Sequence, residues 1–280
     1  MKFWNKPAAI AGIFSVVTLS ACGGGTSVVA PVLADGAPIN AADYIGKTFP
    51  FRYLGVDASG TLNPTRGTGS IKVISATEIE VSVDGRTYLL NETLTPGEYE
   101  RIDISSTQID LSPALRSLGS NIISDSSVYI GAYGFQTDPA DVPTVDFAQF
   151  EGTSELIVTD GIGTVNVESG TSNLEVDFAN NLFSGFVYHG EMLGGVGETI
   201  TIDVFPAGTL TGNEVSGTLI ATYDDLINPV ANVPLNGTDV EGWLYGAGHE
   251  NLIGTFEGNF TTPLDGNTRF VGGFFGDLVP

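Results

Sequence analysis

Apolar and polar residues alternate with a period of two along much of this chain. Ser70-Ile71-Lys72-Val73-Ile74, Ile79-Glu80-Val81-Ser82-Val83 and Arg101-Ile102-Asp103-Ile104 each place apolar side chains on one face of an extended segment and polar ones on the other. Asp84-Gly85, between Val83 and Arg86-Thr87-Tyr88-Leu89, predicts a tight hairpin, because an Asp-Gly pair accepts the positive φ of a two-residue turn. Ser112 to Leu118 reads as one short helical turn. Further along, strand-length segments recur at about 148–159, 163–178, 182–189, 198–206, 214–223, 238–246, 252–262 and 268–276, separated by turn residues such as Asn180-Asn181, Gly212-Asn213 and Asp265-Gly266-Asn267. No helix-period stretch interrupts them. The expectation is an all-β protein whose C-terminal part is an eight-stranded antiparallel up-and-down β-barrel, preceded by a small, mainly-β, handle-like domain. Glycines inside the segments, among them Gly185, Gly242, Gly254 and Gly273, mark bends and close approaches.

Charge divides the chain in the same place. The full sequence has 10 basic and 33 acidic residues, a net charge of −23. Apart from Lys2, Lys6 and Arg269, every Lys and Arg lies between Lys47 and Arg116, whereas residues 117–268 hold none against 21 Asp and Glu. This asymmetry predicts two domains, residues 43–137 and 138–280, with the boundary around Thr137 to Pro143. So acidic a surface repels nucleic acid phosphates and anionic lipid headgroups and leaves cationic or basic-patched proteins open as partners.

The N-terminus reads as an export signal over residues 1–21: Lys2 and Lys6, an apolar stretch from Ala8 to Leu19, and no acidic residue. Its end, Leu19-Ser20-Ala21-Cys22, resembles the lipobox of bacterial lipoproteins. That resemblance implies cleavage before Cys22 and acylation there by a diacylglyceryl group and a further chain such as palmitate, enough to hold a protein on a bilayer. Cleavage removes two of the basic residues, so the mature charge is 8 − 33 = −25. Cys22 is the only cysteine; once acylated it leaves no thiol for a disulfide or a nucleophile. Residues 22–42, rich in Gly, Ala and Pro, read as a tether.

Several barrel segments resemble a known family. Tyr245-Gly246-Ala247-Gly248-His249-Glu250-Asn251-Leu252-Ile253-Gly254-Thr255-Phe256 is similar to a signature of the β-barrel domain of transferrin-binding protein B and related surface lipoproteins, and Val271-Gly272-Gly273-Phe274-Phe275-Gly276 to that family's closing strand. Val176-Asp177-Phe178 with Ser184-Gly185, and Tyr133-Gly134-Phe135 ahead of Asp138 to Pro143, fit the same order. His249 stands where a small residue is usual, and this chain has one barrel and one small domain where the full transferrin receptor component has two of each. The resemblance implies a binding lipoprotein anchored in the outer membrane and facing the cell exterior. Its partners would be a protein or an iron or haem ligand, together with an outer-membrane receptor and a surface lipoprotein assembly modulator. The alternative is a structural or adhesive envelope lipoprotein with no small-molecule ligand.

Catalytic chemistry is hard to assemble. The two histidines, His189 and His249, are 60 positions apart, with no H-E-x-x-H spacing, so no metal site is expected. His249 is expected as an exposed residue of a hairpin tip. His189, after Phe186-Val187-Tyr188, would face the barrel mouth, with axial ligation of haem as the sharp alternative to no cofactor. Adjacent Asp224 and Asp225 point to opposite faces if their strand continues, so they do not form an acid–base pair. Aromatic residues remain as candidate ligand contacts: Trp243 and Tyr245, which alternation places on one face with Leu244 on the other, and Tyr188 beside His189. Barrel packing is the competing reading for all of them.

Overall fold

The computed structural model describes residues 45–57, 65–75, 78–91, 100–104, 107–111, 117–124, 127–159, 165–190, 198–218, 220–225, 236–262 and 266–280. The signal segment, Cys22, the tether and the Gly194-Gly195 turn lie outside them. Among the described residues every regular element is a strand: β1 (Thr48–Asp57), β2 (Thr65–Ser75), β3 (Glu78–Val83), β4 (Arg86–Asn91), β5 (Glu100–Ile104), β6 (Thr107–Leu111), β7 (Ser117–Ser124), β8 (Ser127–Gly134), β9 (Phe147–Thr159), β10 (Val165–Asp177), β11 (Leu182–Gly190), β12 (Glu198–Thr211), β13 (Glu214–Thr218), β14 (Ile220–Asp225), β15 (Asn236–Tyr245), β16 (Asn251–Thr262) and β17 (Gly266–Leu278).

The first eight strands form one antiparallel sheet in the order β4-β3-β2-β1-β8-β7-β6-β5. Asp84 and Gly85 adopt φ of 48° and 73° at the β3–β4 hairpin, as their sequence predicts. The Tyr53 hydroxyl donates to Asp84 Oδ1 at 2.6 Å and ties the centre of the sheet to that turn. Of the helical turn expected over 112–118, residues 112–116 lie outside the described residues, and Ser117 and Leu118 belong instead to β7, which pairs with β8. Alternation along β1 and β8 collects Phe49, Phe51, Tyr53, Tyr129 and Tyr133 with Ile71, Val73, Ile79 and Val81 in one core. The rings pack edge-on, Phe49 against Phe135 at 5.1 Å and Tyr53 against Tyr129 at 5.3 Å.

The remaining strands close on themselves. Their order is β11-β10-β9-β17-β16-β15-β13-β12-β14, and β11 also pairs with β12, which completes a ring of eight with β14 continuing along the edge of β12 beyond β13. Starting from Leu210 on β12, the register passes through Val215, Gly242, Gly254, Phe274, Ser154 and Gly170, whose neighbour on β11 is His189, and from His189 it returns to β12 at Ile200. That stagger along one strand is what tilts the strands of a closed barrel. Inward positions are filled: Phe150, Phe183, Phe256, Phe270 and Phe274 pack with Leu156, Leu174, Leu244 and Leu252 in one buried cluster. Such rings fit because strand glycines yield space; a Cβ on Gly254 would lie 2.3 Å from the Phe274 ring.

The start of the segment joining sheet to barrel is hydrogen-bonded to β15 and to the β12–β13 turn. Thr137 N donates to Leu244 O at 3.0 Å and Gly246 N to Phe135 O at 2.8 Å, while the Asn213 side chain donates to Thr137 O at 2.7 Å.

Candidate binding surfaces and the barrel interior

Alternation along β15 settles where Trp243 and Tyr245 go. Val240 and Leu244 point into the barrel, so Trp243 and Tyr245 point out, as the sequence pattern implies. The outside of the barrel is not solvent here, because the first sheet lies against β15, β16 and β17. Trp243, Tyr245 and Ile253 form a buried cluster with Ala132 of β8, and Phe275 packs against it. Trp243 is 2% exposed. The aromatic pair offered as candidate ligand contacts is therefore packed, and the packing is a contact between the two sheets, since the first sheet supplies the apolar partner in place of water. The same burial raises the Tyr245 hydroxyl well above the ordinary tyrosine range. Gly273, on the outer face of β17, lets the sheet come close: a Cβ there would stand 2.8 Å from Ile130 Cγ2.

Charges rim this contact. Arg52 of β1 sets its guanidinium 4.7 Å from the Trp243 ring centre and 3.6 Å from Glu214, Trp243's register partner on β13. Arg66 of β2 reaches Glu241 at 2.9 Å and Glu257 at 3.0 Å. Basic residues of the first half thus neutralise acids of the second. Sequence reasoning saw the division of charge but missed Arg52, Arg66, Ile130 and Gly273 as contact residues, because a charge imbalance does not reveal which faces meet.

His189 does not sit at the barrel mouth. It points inward from β11, fully buried, with Nε2 3.0 Å from Ser154 Oγ. Gly170 of β10 lies between them in register, and a Cβ on it would stand 2.6 Å from His189 Nδ1, so the imidazole crosses the middle strand only because that position is glycine. Burial drives the His189 pKa down to about 4, and the ring is neutral at physiological pH. Nδ1 is buried without a hydrogen-bond partner. A serine and a histidine at this distance match two of the three members of a nucleophile–base–carboxylate triad, but His189 Nδ1 has no carboxylate to orient it and Ser154 is 2% exposed. A haem iron would need His189 Nε2 free, and that atom faces Ser154 inside a filled barrel. Ser154 was missed from sequence because a lone serine in a strand gives no signal until register places it opposite a histidine.

His249 also departs from expectation. It is half-buried, holds a φ of 51° in the β15–β16 turn, and stacks edge-on against Phe178 at 5.3 Å, which burial accompanies with a lowered pKa. Asp224 and Asp225 lie in β14, opposite Thr199 and Glu198 of β12. Among the described residues no group of three or more His, Cys, Asp or Glu is arranged to hold a metal ion.

Tyr188 is the candidate that remains open to solvent. β11 turns Leu182, Phe186 and Tyr188 outward, 41%, 42% and 43% exposed, and Phe147 at the start of β9 is 56% exposed.

No protein family and no curated protein matches the chain by sequence. Among solved structures, it is similar to transferrin binding protein B from serogroup B Neisseria meningitidis, with a TM-score of 0.54 and 15% identity over 82% of this chain and 43% of that one. A vaccine-antigen form of transferrin binding protein B from Haemophilus parasuis Hp5 gives a TM-score of 0.53 and 18% identity over 82% of this chain and 45% of that one. This chain spans less than half the length of either.

Proposed function

From its fold, which is similar to that of transferrin binding protein B, we propose that this chain is a non-enzymatic binding lipoprotein held to the outer membrane through acylated Cys22, with its sheet-and-barrel unit facing the cell exterior. The observation that carries the reading is that fold, a β-sheet seated on the outer wall of a side-chain-filled barrel, shared over 82% of the chain with proteins whose names record transferrin binding. A filled barrel binds through its surface and loops. The ligand is an iron-carrying protein or haem, delivered to an outer-membrane receptor, and export to the surface uses a surface lipoprotein assembly modulator. Tyr188 is the accessible aromatic of the candidate set; Trp243, Tyr245 and His189 support the scaffold.

The test combines anchoring and retention. Full-length protein should partition into the detergent phase and be digested by protease added to intact cells, Cys22→Ser protein should stay in the aqueous phase, and immobilised transferrin or haem should retain the purified protein. Detergent partitioning by the Cys22→Ser protein, or retention by neither ligand, overturns the corresponding part of the proposal.

A further inference from the structure

The barrel has two outer faces with matching chemistry, and among the described residues only one is matched. Around the ring, β11 stands four strands from β16 in either direction, diametrically opposite the wall that the first sheet covers. On the covered wall an aromatic, Trp243, lies among Glu214, Glu241 and Glu257, and Arg52 and Arg66 supply the cations. On the opposite wall Phe186 and Tyr188 project from β11 two residues apart on the same face. Outward positions of the neighbouring strands carry Glu175 and Asp177 on β10 and Glu151 on β9. Asp177 is held ionised by hydrogen bonds from Asn180, and Glu151 accepts one from Gln149. No lysine or arginine occurs from residue 117 to 268, so β9 to β12 have no cation of their own to answer these acids.

We propose that this uncovered wall is a docking surface for a protein presenting arginines, with Phe186 and Tyr188 as the rings on which guanidinium groups stack and Glu151 and Glu175 as the charges that steer and pair them. The chemistry is that of Arg52 on Trp243, repeated between molecules. β11 is hydrogen-bonded on both edges, so the partner docks by side chains and not by strand addition. The inference rests on the reading of this chain as a binding protein, but on neither its anchor nor its location.

The probe is a nona-arginine peptide, with nona-lysine as comparison, titrated against the full mature chain and its variants in physiological salt. Threonine suits exposed strand positions, so the Phe186→Thr/Tyr188→Thr protein should keep its thermal midpoint while its affinity for nona-arginine falls at least tenfold. Tyr188→Phe should retain affinity within about twofold, because the ring persists. Glu151→Gln/Glu175→Gln should slow association and flatten its salt dependence. Nona-lysine should bind more weakly and respond less to loss of the rings. Equal affinity of the wild-type and double-threonine proteins for nona-arginine would mean generic attraction to an acidic surface and overturns the proposal. Should the double variant unfold, hydrogen-exchange protection of β10 and β11 in the wild-type protein by nona-arginine decides the matter, and protection confined to other strands overturns it. Loss of transferrin and haem retention with this face intact would count against the ligand named above and not against the face.

Discussion

Arg52 and Trp243 come from opposite halves of the sequence and meet at 4.7 Å, the guanidinium over the indole, where the first sheet rests on the barrel. A ring that is 2% exposed contributes mainly through burial, so Trp243→Ala should lower unfolding stability by about 3–5 kcal/mol. Arg52→Ala should cost about 1 kcal/mol, and a double-mutant cycle should show positive coupling between the two. Chemical denaturation of the four proteins measures this; additive effects would deny the contact any energetic role.

Gly273 tests how tightly the two sheets close. Its substitution by alanine places a methyl group 2.8 Å from Ile130 Cγ2, which should destabilise the protein by about 1–3 kcal/mol. Ile130→Ala removes that obstacle, and Gly273→Ala should cost clearly less in that background. Thermal midpoints of the two singles and the double check the expectation; an unrelieved cost would place the strain elsewhere.

His189 predicts a pH dependence with a definite sign. Its folded pKa of about 4 is below the unfolded value of 6.5, so the unfolded chain binds the proton first as pH falls. Stability from this residue is complete above pH 6.5, declines between 6.5 and about 4, and is constant below, with a total loss of about 3 kcal/mol. Comparing denaturation curves of the wild-type and His189→Leu proteins across that window isolates the effect. A slope that persists in the variant would assign it to the carboxylates.

The barrel's eight strands close without the first sheet, so residues 138–280 should unfold cooperatively on their own. Freed of the sheet, the fragment exposes Trp243, Ile253 and Phe275 together and should self-associate. Sedimentation velocity reads this directly: a monodisperse monomer would show that the covered wall is not an adhesive surface.

Much of the strand pattern is legible along the chain, because a two-residue period is a local property, although β1, β6, β7 and β8 are not read as strands from it and Ser117 and Leu118 are expected in a helical turn. Its eight barrel segments reappear as the nine strands β9 to β17, the segment at 214–223 being divided into β13 and β14, and the assignment of Leu244 to one face and Trp243 to the other holds. Asp84-Gly85 was legible for the same reason, since positive φ is paid for residue by residue. What each face meets depends on how the two sheets assemble. That Trp243 is covered while Tyr188 is open depends on the first sheet choosing the β15–β17 wall, a pairing set by Ile130, Gly273, Arg52 and Arg66, which are remote in sequence from the residues they touch. His189 likewise found Ser154 across Gly170 only through strand register, where one residue of slip would turn every side chain to the other face of the wall.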